Sequence, residues 1–493
     1  MVPDNPRESY AMLVRESMQF DIPTPSRRSE IIRELPQPAV FNAVHIITGI
    51  RRCGKTFYLF QKIHDLLKNG VSRNDIFYFN FADDRLQPMQ DTVLNDIVTE
   101  YWRQYPDSRD HGCYLFLDEV QECANWQGFC QRIAEHEAVT LVITGSSSKL
   151  SSEEIATNFR GRSHPHAMMP LSFREFCDFR GIETPSKGST LADAVFSPRE
   201  ITRFEAAYND YLTIGGFPAV QRMVEPDRIE TLQGYVRDVV ARDVAERFGR
   251  ENITLATQIA LFLLRNTACE LSTNGLVETL RAVGWKIYWD KANTLLELFK
   301  QAFLVYQLEE YSTMLKPGST AVPKMYAVDQ GMVHAVSRAN QQDIGKRLET
   351  AIFCELQRRT FGRRTETITS YTMPTSKQEK VDFLIGDALA TEPYGLIQVC
   401  ANMGNEKTRA REIGSLQAVM QRTNVDSGLI LTLNEEETIE LPDSTGTIHV
   451  LPSWKWSLYE ARWEGQRECW KGDMEMDDVM SDVSNELIDS FSA

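Results

Sequence analysis

Residues 44–56 read VHIITGIRRCGKT, and the rest of the chain is interpreted outward from them. Residues 44–47 are a short apolar run rich in β-branched side chains, which predicts a buried strand. Gly49, four further residues and Gly54-Lys55-Thr56 then make the phosphate-cradling pattern G-x-x-x-x-G-K-[ST]. Behind it, Phe57, Phe60, Ile63, Leu66 and Leu67 recur at helical spacing, so the motif has the strand, glycine loop and helix it requires. The glycines let backbone N–H groups curl around phosphate oxygens at a helix N-terminus, where the dipole favours an anion. The nucleotide-binding residues expected on this reading are Gly49, Ile50, Arg51, Arg52, Cys53, Gly54, Lys55, Thr56 and Phe57. Lys55 is expected to reach the β- and γ-phosphates and Thr56 to ligate Mg2+, which makes ATP and Mg2+ the expected cofactors. The alternative is an ordinary strand-to-helix turn.

A chain of 493 residues is too long for one core and predicts about three domains. Its 42% hydrophobic and 25% charged content is that of a globular protein. No apolar run reaches membrane-spanning length, since the best, 259–264, stops at Arg265. The N-terminal MVPDNPRESY has acids and no apolar stretch, so no signal peptide is expected. Nine scattered cysteines without a C-x-x-C pair predict a reduced, cytoplasmic chain with neither a disulfide framework nor a structural zinc. A net charge of −16 argues against a protein that coats nucleic acid over its whole surface, and leaves a local basic patch open.

Residues 1–35 predict a helical arm; Arg27-Arg28 within it either touch a nucleotide or, the favoured reading, lie on a solvated surface. Residues 36–185 alternate strand and helix as a parallel sheet demands. Strand 76–81 (IFYFNF) follows the glycine loop, a helix spans 93–102, and YLFL (114–117) runs into Asp118-Glu119. An apolar strand ending in Asp-Glu is the metal arm of P-loop ATPases: Asp118 would hold the metal and Glu119 would polarise the attacking water. Strand 141–144 ends at a serine-rich turn, in which Ser146 or Ser147 is the polar sensor candidate and a plain turn the alternative. Arg162 or Arg160 of FRGR (159–162) is the candidate arginine finger, acting in cis or from a neighbouring subunit; a salt-bridged surface arginine is the alternative. His164 and His166 form an H-x-H without an evident third ligand.

The strings GIRRCGKT, YLFLDEVQECANW, ITGSSSKL, FRGR, PLSFREF (170–176), YLTIGGFPAV (211–220) and RDVAERF (242–248) together resemble a large family of prokaryotic AAA-type ATPases. These carry a C-terminal domain of unknown function with a restriction-endonuclease-like core. The resemblance runs from about residue 40 to about 460 and implies a P-loop AAA core (36–185), a helical lid (186–250), a winged helix and a nuclease-like module. It implies little about biological role.

In the lid segment, Gly215 and Gly216 are expected to allow a tight approach near the nucleotide, and Arg237, Arg242 and Arg247 to pair with Asp238, Asp243 and Glu246 of their own helix. Residues 251–335 read helix, helix, helix and two short strands around Pro317-Gly318, the order of a winged helix. Lys286, Lys291 and Lys300 could face phosphates, while Trp285, Tyr288 and Trp289 read as packing residues. Residues 336–465 resemble the nuclease pattern of a helical Glu (Glu349 or Glu355), a strand Asp (Asp382) and an E-x-K strand, except that Gln398 and Cys400 stand at the Glu and Lys positions. A neutral glutamine and cysteine predict a degenerate module. Arg358, Arg359, Arg363 and Arg364 are a basic cluster that either contacts nucleic acid or is solvated. Residues 466–493 are an acidic tail expected to be disordered. The function expected from all this is Mg-dependent ATP hydrolysis driving a conformational switch, coupled to the winged helix and nuclease-like module and acting on or with DNA. The alternatives are a non-hydrolysing nucleotide-bound scaffold and an ATP-gated metal-dependent nuclease. Double-stranded DNA and a protein partner are the candidate partners, a membrane is not, and oligomerisation is open.

Overall fold

The computed structural model describes residues 6–145, 159, 161–186, 189, 191, 194–311, 322–337, 344–360, 366–373, 376–387, 392–441 and 446–459. Ser146, Ser147, Arg160, Arg363, Arg364, Pro317-Gly318 and the acidic tail lie outside the described residues.

Five parallel strands form the first sheet: β1 (Val44–Thr48), β2 (Ile76–Asn80), β3 (Cys113–Asp118), β4 (Val139–Thr144) and β5 (Ser163–Ala167). Their spatial order is β2-β3-β4-β1-β5. β1, β3 and β4 are buried along their whole length, as a sheet covered on both faces requires. Alternation sends Ile46, Phe77, Phe79, Leu115 and Leu117 toward one core, beneath helices Pro6–Gln19, Val93–Gln104 and Trp126–His136. Ile47, Tyr78, Tyr114, Phe116 and Val142 face the other, which holds helix Lys55–Lys68 and continues into the rest of the chain. The N-terminal helix is therefore a layer of the core, with Leu13, Val14 and Met18 buried. Because β4 lies between β1 and β3, the C-terminal ends of these three strands meet, and that edge carries the site.

Helices Pro198–Ile214 and Glu225–Asp238 follow, the second running into a π-helical turn at Val239–Val244. Then come helix Ile253–Arg265, β6 (Cys269–Glu270), helices Thr273–Ala282 and Trp289–Gln301, β7 (Val305–Leu308) and β8 (Lys324–Ala327). The three strands pair antiparallel in the order β6-β8-β7. β6 is two residues long, too short for a periodicity signal. A third unit is a six-stranded mixed sheet of β9 (Glu366–Met373), β10 (Ser376–Asp387), β11 (Glu392–Val399), β12 (Ser427–Thr432), β13 (Glu437–Glu440) and β14 (Thr447–Pro452), ordered β13-β14-β12-β11-β10-β9. Helices Ile344–Thr360 and Glu406–Thr423 pack against it. Among the described residues no helix is long and apolar enough to cross a membrane.

Three expectations are corrected and one, the glycine turn, gains a packing reason. Gly216 is forced by close approach to the backbone at Leu171, where a Cβ would sit 2.4 Å from the carbonyl oxygen; its N–H donates to Asp329 at 2.6 Å. The Gly215-Gly216 turn thus packs against neighbouring chain, and it leads into Pro218, whose Cγ lies 3.8 Å from where a Cβ on Gly54 of the glycine loop would sit. Asp238 and Asp243 are reached from outside their helix, by Arg52 and Arg51 of the glycine loop. Arg358 and Arg359 are fasteners: both pair with Glu355, while Arg358 donates to the carbonyls of Pro170 and Leu171 and Arg359 to those of Trp456 and Tyr459. Tyr288 and Trp289, expected to pack, are 73% and 48% exposed.

The PLSFREF segment is a hub. Leu171 donates its N–H to Gly216 O and accepts from the Tyr211 hydroxyl, and Arg174 donates to Leu458 O near the end of the described chain. Ser172 and Glu175 form a reciprocal cap on helix Phe173–Phe179.

Candidate nucleotide site

The glycine loop leaves β1 at Thr48 and enters helix Lys55–Lys68 through Gly54, which caps the helix with no side-chain bond. The first-turn N–H groups of this 14-residue helix are thus available to an external acceptor. Gly49 passes so close to β5's exit that a Cβ there would lie 2.1 Å from Met168 O. The Lys55 ammonium is buried and donates to the carbonyls of Gly49 and Ile50 at 2.9 and 3.2 Å. Ile50 and Cys53 are fully buried, and Phe57 is 53% exposed on the helix's first turn.

Opposite the loop, β3 delivers Asp118. Thr56 Oγ1 donates to Asp118 Oδ2 at 2.7 Å, Tyr78 donates to the same oxygen at 3.3 Å, and Thr144 donates to Oδ1. Burial raises the Asp118 carboxyl above its ordinary range, and the hydrogen bonds from Thr144 and Thr56 work against that rise. Glu119 sits in the left-handed region (φ 55°); its N–H donates to Thr144 Oγ1 at 3.2 Å and its carboxylate accepts from Gln121. Thr56 and Asp118 together present hard oxygen ligands, and the uncapped helix and Lys55 present donors and charge. This donor set fits a nucleotide phosphate chain with a divalent cation.

Several of these residues were missed in the sequence. Thr144 is hydrogen-bonded both to the Asp118 carboxylate and to the Glu119 N–H; it reads simply as a β-branched strand residue, and only the sheet order shows its role. Arg28, read as surface, is buried: it donates to Cys53 O and Met169 O at 2.8 Å each and pairs with Glu175 at 3.0 Å. Burial alone would raise the Glu175 carboxyl; Arg28 and the N–H groups of Ser172 and Ser29 instead drive it down to about 2. Arg27 does lie on the surface, paired with Glu30 and Asp65. His45 on β1 joins His164 and His166 of β5, its Nδ1 3.1 Å from His166 Nε2. Burial lowers both His45 and His166 to about 4, so they are neutral at pH 7, and no group of metal-holding geometry occurs among the described residues. Arg162 precedes β5, at the opposite end of the sheet from the glycine loop, roughly 15 Å away along the strand. It is half exposed, pairs with Glu135 and stacks over Phe41, so it does not reach the site of its own chain.

A second cluster lies where β8 meets the mixed sheet, lining a cavity of about 650 Å³. Lys324 donates to Asp382 at 2.7 Å and Glu349 at 3.0 Å, and Tyr326 also donates to Glu349. Gln398 accepts from Asp382 N and donates to Glu412 at 2.7 Å. Glu349 and Asp382 therefore do come together, while Glu355 is held by two arginines instead. Burial and Asp382 push the Glu349 carboxyl up, against the pull of Lys324. Burial would lower the Lys324 ammonium, but the two acids raise it above its usual range. Cys400 is a buried thiol, and the lysine comes from another unit, which no local motif could show.

A profile of the AAA domain matches residues 41–177, and one of a domain of unknown function matches residues 205–343. An uncharacterized protein of Methanocaldococcus jannaschii is 31% identical over 440 residues, which is 88% of this chain and 92% of that one. An uncharacterized protein of Haemophilus influenzae is 28% identical over 333 residues, 67% of this chain and 78% of that one. Among solved structures, the Walker-type ATPase of Pyrococcus abyssi aligns with a TM-score of 0.36 and 13% identity over 67% of this chain and 95% of that one. The Aeropyrum pernix Orc1 protein in complex with DNA aligns with a TM-score of 0.28 and 13% identity over 68% and 94%.

Proposed function

Because the chain belongs to the AAA-domain protein family that carries a domain of unknown function behind its P-loop core, we propose that it binds and hydrolyses Mg-ATP. The cycle would switch the arrangement of its other units. One observation carries this reading: Lys55, Thr56, Asp118, Glu119 and Thr144 converge at the C-terminal ends of three neighbouring strands. The nucleotide would be held by the glycine loop 49–54, Lys55 and the first-turn amides, and the metal by Thr56 and Asp118. When bound, the triphosphate supplies the phosphoanhydride to be cleaved and the metal neutralises its charge. Glu119 would orient a water and take its proton at the carboxylate, with Thr144 fixing the acid's backbone and Asp118 together. Arg162 would complete the site only from a second copy, because it is remote from the loop of its own chain.

Binding tests this reading before turnover does. Lys55→Ala is expected to weaken a fluorescent ATP analogue at least about tenfold, since it removes a buried cation from the phosphate site. Equal affinity in the variant would contradict the assignment.

We place a DNA contact on the turn between helices Thr273–Ala282 and Trp289–Gln301, within a unit we read as a winged helix. There the Arg281 guanidinium stacks 5.6 Å over Tyr288, with Lys286 and Trp289 exposed beside it. Lys291 and Lys300 are occupied elsewhere, with Asn252 and with Glu297 and Gln307. Duplex DNA is expected to quench Trp289 fluorescence, and Arg281→Ala to weaken binding and its salt dependence; no quenching would remove DNA from the account. The mixed-sheet pocket supports a non-nucleolytic role. Lys324 supplies the charge that Cys400 cannot, but it already neutralises the acid pair a divalent metal would need. Plasmid incubated with Mn2+ and ATP is expected to stay intact; cleavage abolished by Asp382→Ala would overturn this.

A further inference from the structure

The glycine loop carries two arginines, and both are tied to one segment of the chain. Arg51 Nε donates to Asp243 Oδ2 at 2.9 Å, a pair whose acid is buried and whose guanidinium is four-fifths covered. Arg52 pairs with Asp238, and its guanidinium lies 4.3 Å from the centroid of the Tyr235 ring. Arg52 is also held at φ 68°, a left-handed conformation that disfavours a non-glycine residue. In a regular α-helix, residues five apart point about 140° away from one another. The π-helical turn at Val239–Val244 widens the helix between the two acids and brings them toward one face, so that both reach the same loop. The other side of the segment is anchored in the next unit: Val239, Val240 and Val244 are buried, Arg247 donates to Gln301, and Lys291 lies over Phe248.

Arg51 also lies within electrostatic reach of Glu119 and Glu122, the acids that follow β3. Glu119 would orient the attacking water on the reading above, so a guanidinium within its reach would stand near the terminal phosphate, the one that a diphosphate lacks. We propose that Arg51 and Asp243 set the discrimination between nucleoside triphosphate and diphosphate: Arg51 exchanges Asp243 for the terminal phosphate, which unfastens the π-helical turn from the loop. The inference rests on the nucleotide-binding reading above. Arg51 is the specificity-determining residue, and Asp243 is its competitor and the link to helix Glu225–Asp238. Arg52 and Asp238 form the outer, more exposed fastening of the same latch.

The experiment uses the full chain and two readouts, equilibrium binding of fluorescent triphosphate and diphosphate, and backbone hydrogen exchange across 235–248. Asp243→Asn is expected to tighten the triphosphate about tenfold and leave the diphosphate unchanged, because it removes the competing charge. Arg51→Gln is expected to abolish the preference for triphosphate. Asp238→Asn, at an exposed pair that folding does not need, should shift the ratio in the same direction by about threefold. Triphosphate should speed exchange at 239–244 in the wild type, and Asp243→Asn should show the fast rate with no nucleotide. Affinities for both nucleotides moving by one common factor, or exchange that ignores the nucleotide, would overturn the latch while leaving nucleotide binding intact. A wild-type chain that binds neither nucleotide would overturn both.

Discussion

At the scale of single residues, the site depends on side chains whose partners come from distant parts of the chain. Thr144 bridges the two acids of β3, donating to Asp118 and accepting from Glu119 N. Thr144→Val keeps the β-branched shape and removes both bonds. Turnover is expected to fall about tenfold to a hundredfold, with nucleotide affinity held within about threefold. A loss of affinity matching the loss of rate would instead make Thr144 a folding residue. The Arg28–Glu175 pair acts one layer out, pinning the loop carbonyl of Cys53. The folded Glu175 carboxyl titrates near 2 against an ordinary 4.5. Its stabilisation is therefore fully present above about pH 4.5 and lost as pH falls toward 2. Glu175→Gln is expected to cost about 3 kcal/mol near neutrality. The gap in melting temperature between wild type and variant should stay constant from pH 6 to about pH 4.5 and narrow from there to pH 3. A gap independent of pH would show that the charge is immaterial.

At the scale of elements, what the sequence showed and what it hid follow from the range of the interactions. The glycine loop, β3 with Asp118-Glu119, and the three helices followed by two strands within 251–335 are written in local periodicity and spacing. The hidden features are tertiary. Arg28 reaches Glu175 across 147 positions, and Arg358 reaches Pro170 across 188. The pairing of Arg51 with Asp243 spans 192. Charge patterning within one helix pointed to self-pairing for Asp238 and Asp243, because i to i+4 neighbours are all that a sequence displays. Arg358 fastens helix Ile344–Thr360 to the PLSFREF hub, so Arg358→Met is expected to loosen the mixed-sheet unit from the P-loop core. Proteolysis between the units should then be faster at a temperature where each still gives native near-ultraviolet circular dichroism. Unchanged proteolysis would assign the hub a purely local role.

At the scale of the whole molecule, three units share two charged junctions, the arginine–aspartate latch at the glycine loop and the lysine-centred cluster between β8 and the mixed sheet. Lys324→Met leaves Glu349 and Asp382 buried without their cation and is expected to destabilise the chain by about 3–5 kcal/mol in urea unfolding. Adding Glu349→Gln and Asp382→Asn should restore most of that loss; no restoration would mean that the lysine stem, and not its charge, holds the junction. The central claim is that the edge formed by β1, β4 and β3 hydrolyses ATP. The measurement that tests it most directly is steady-state ATP turnover, with Mg2+, of wild type and Glu119→Gln across a range of protein concentrations. The account predicts a wild-type rate that rises with concentration, as an arginine supplied by a second copy requires, and a variant that binds ATP normally but turns over at least about a hundredfold more slowly. A wild-type rate no higher than that of Glu119→Gln at any concentration would contradict it.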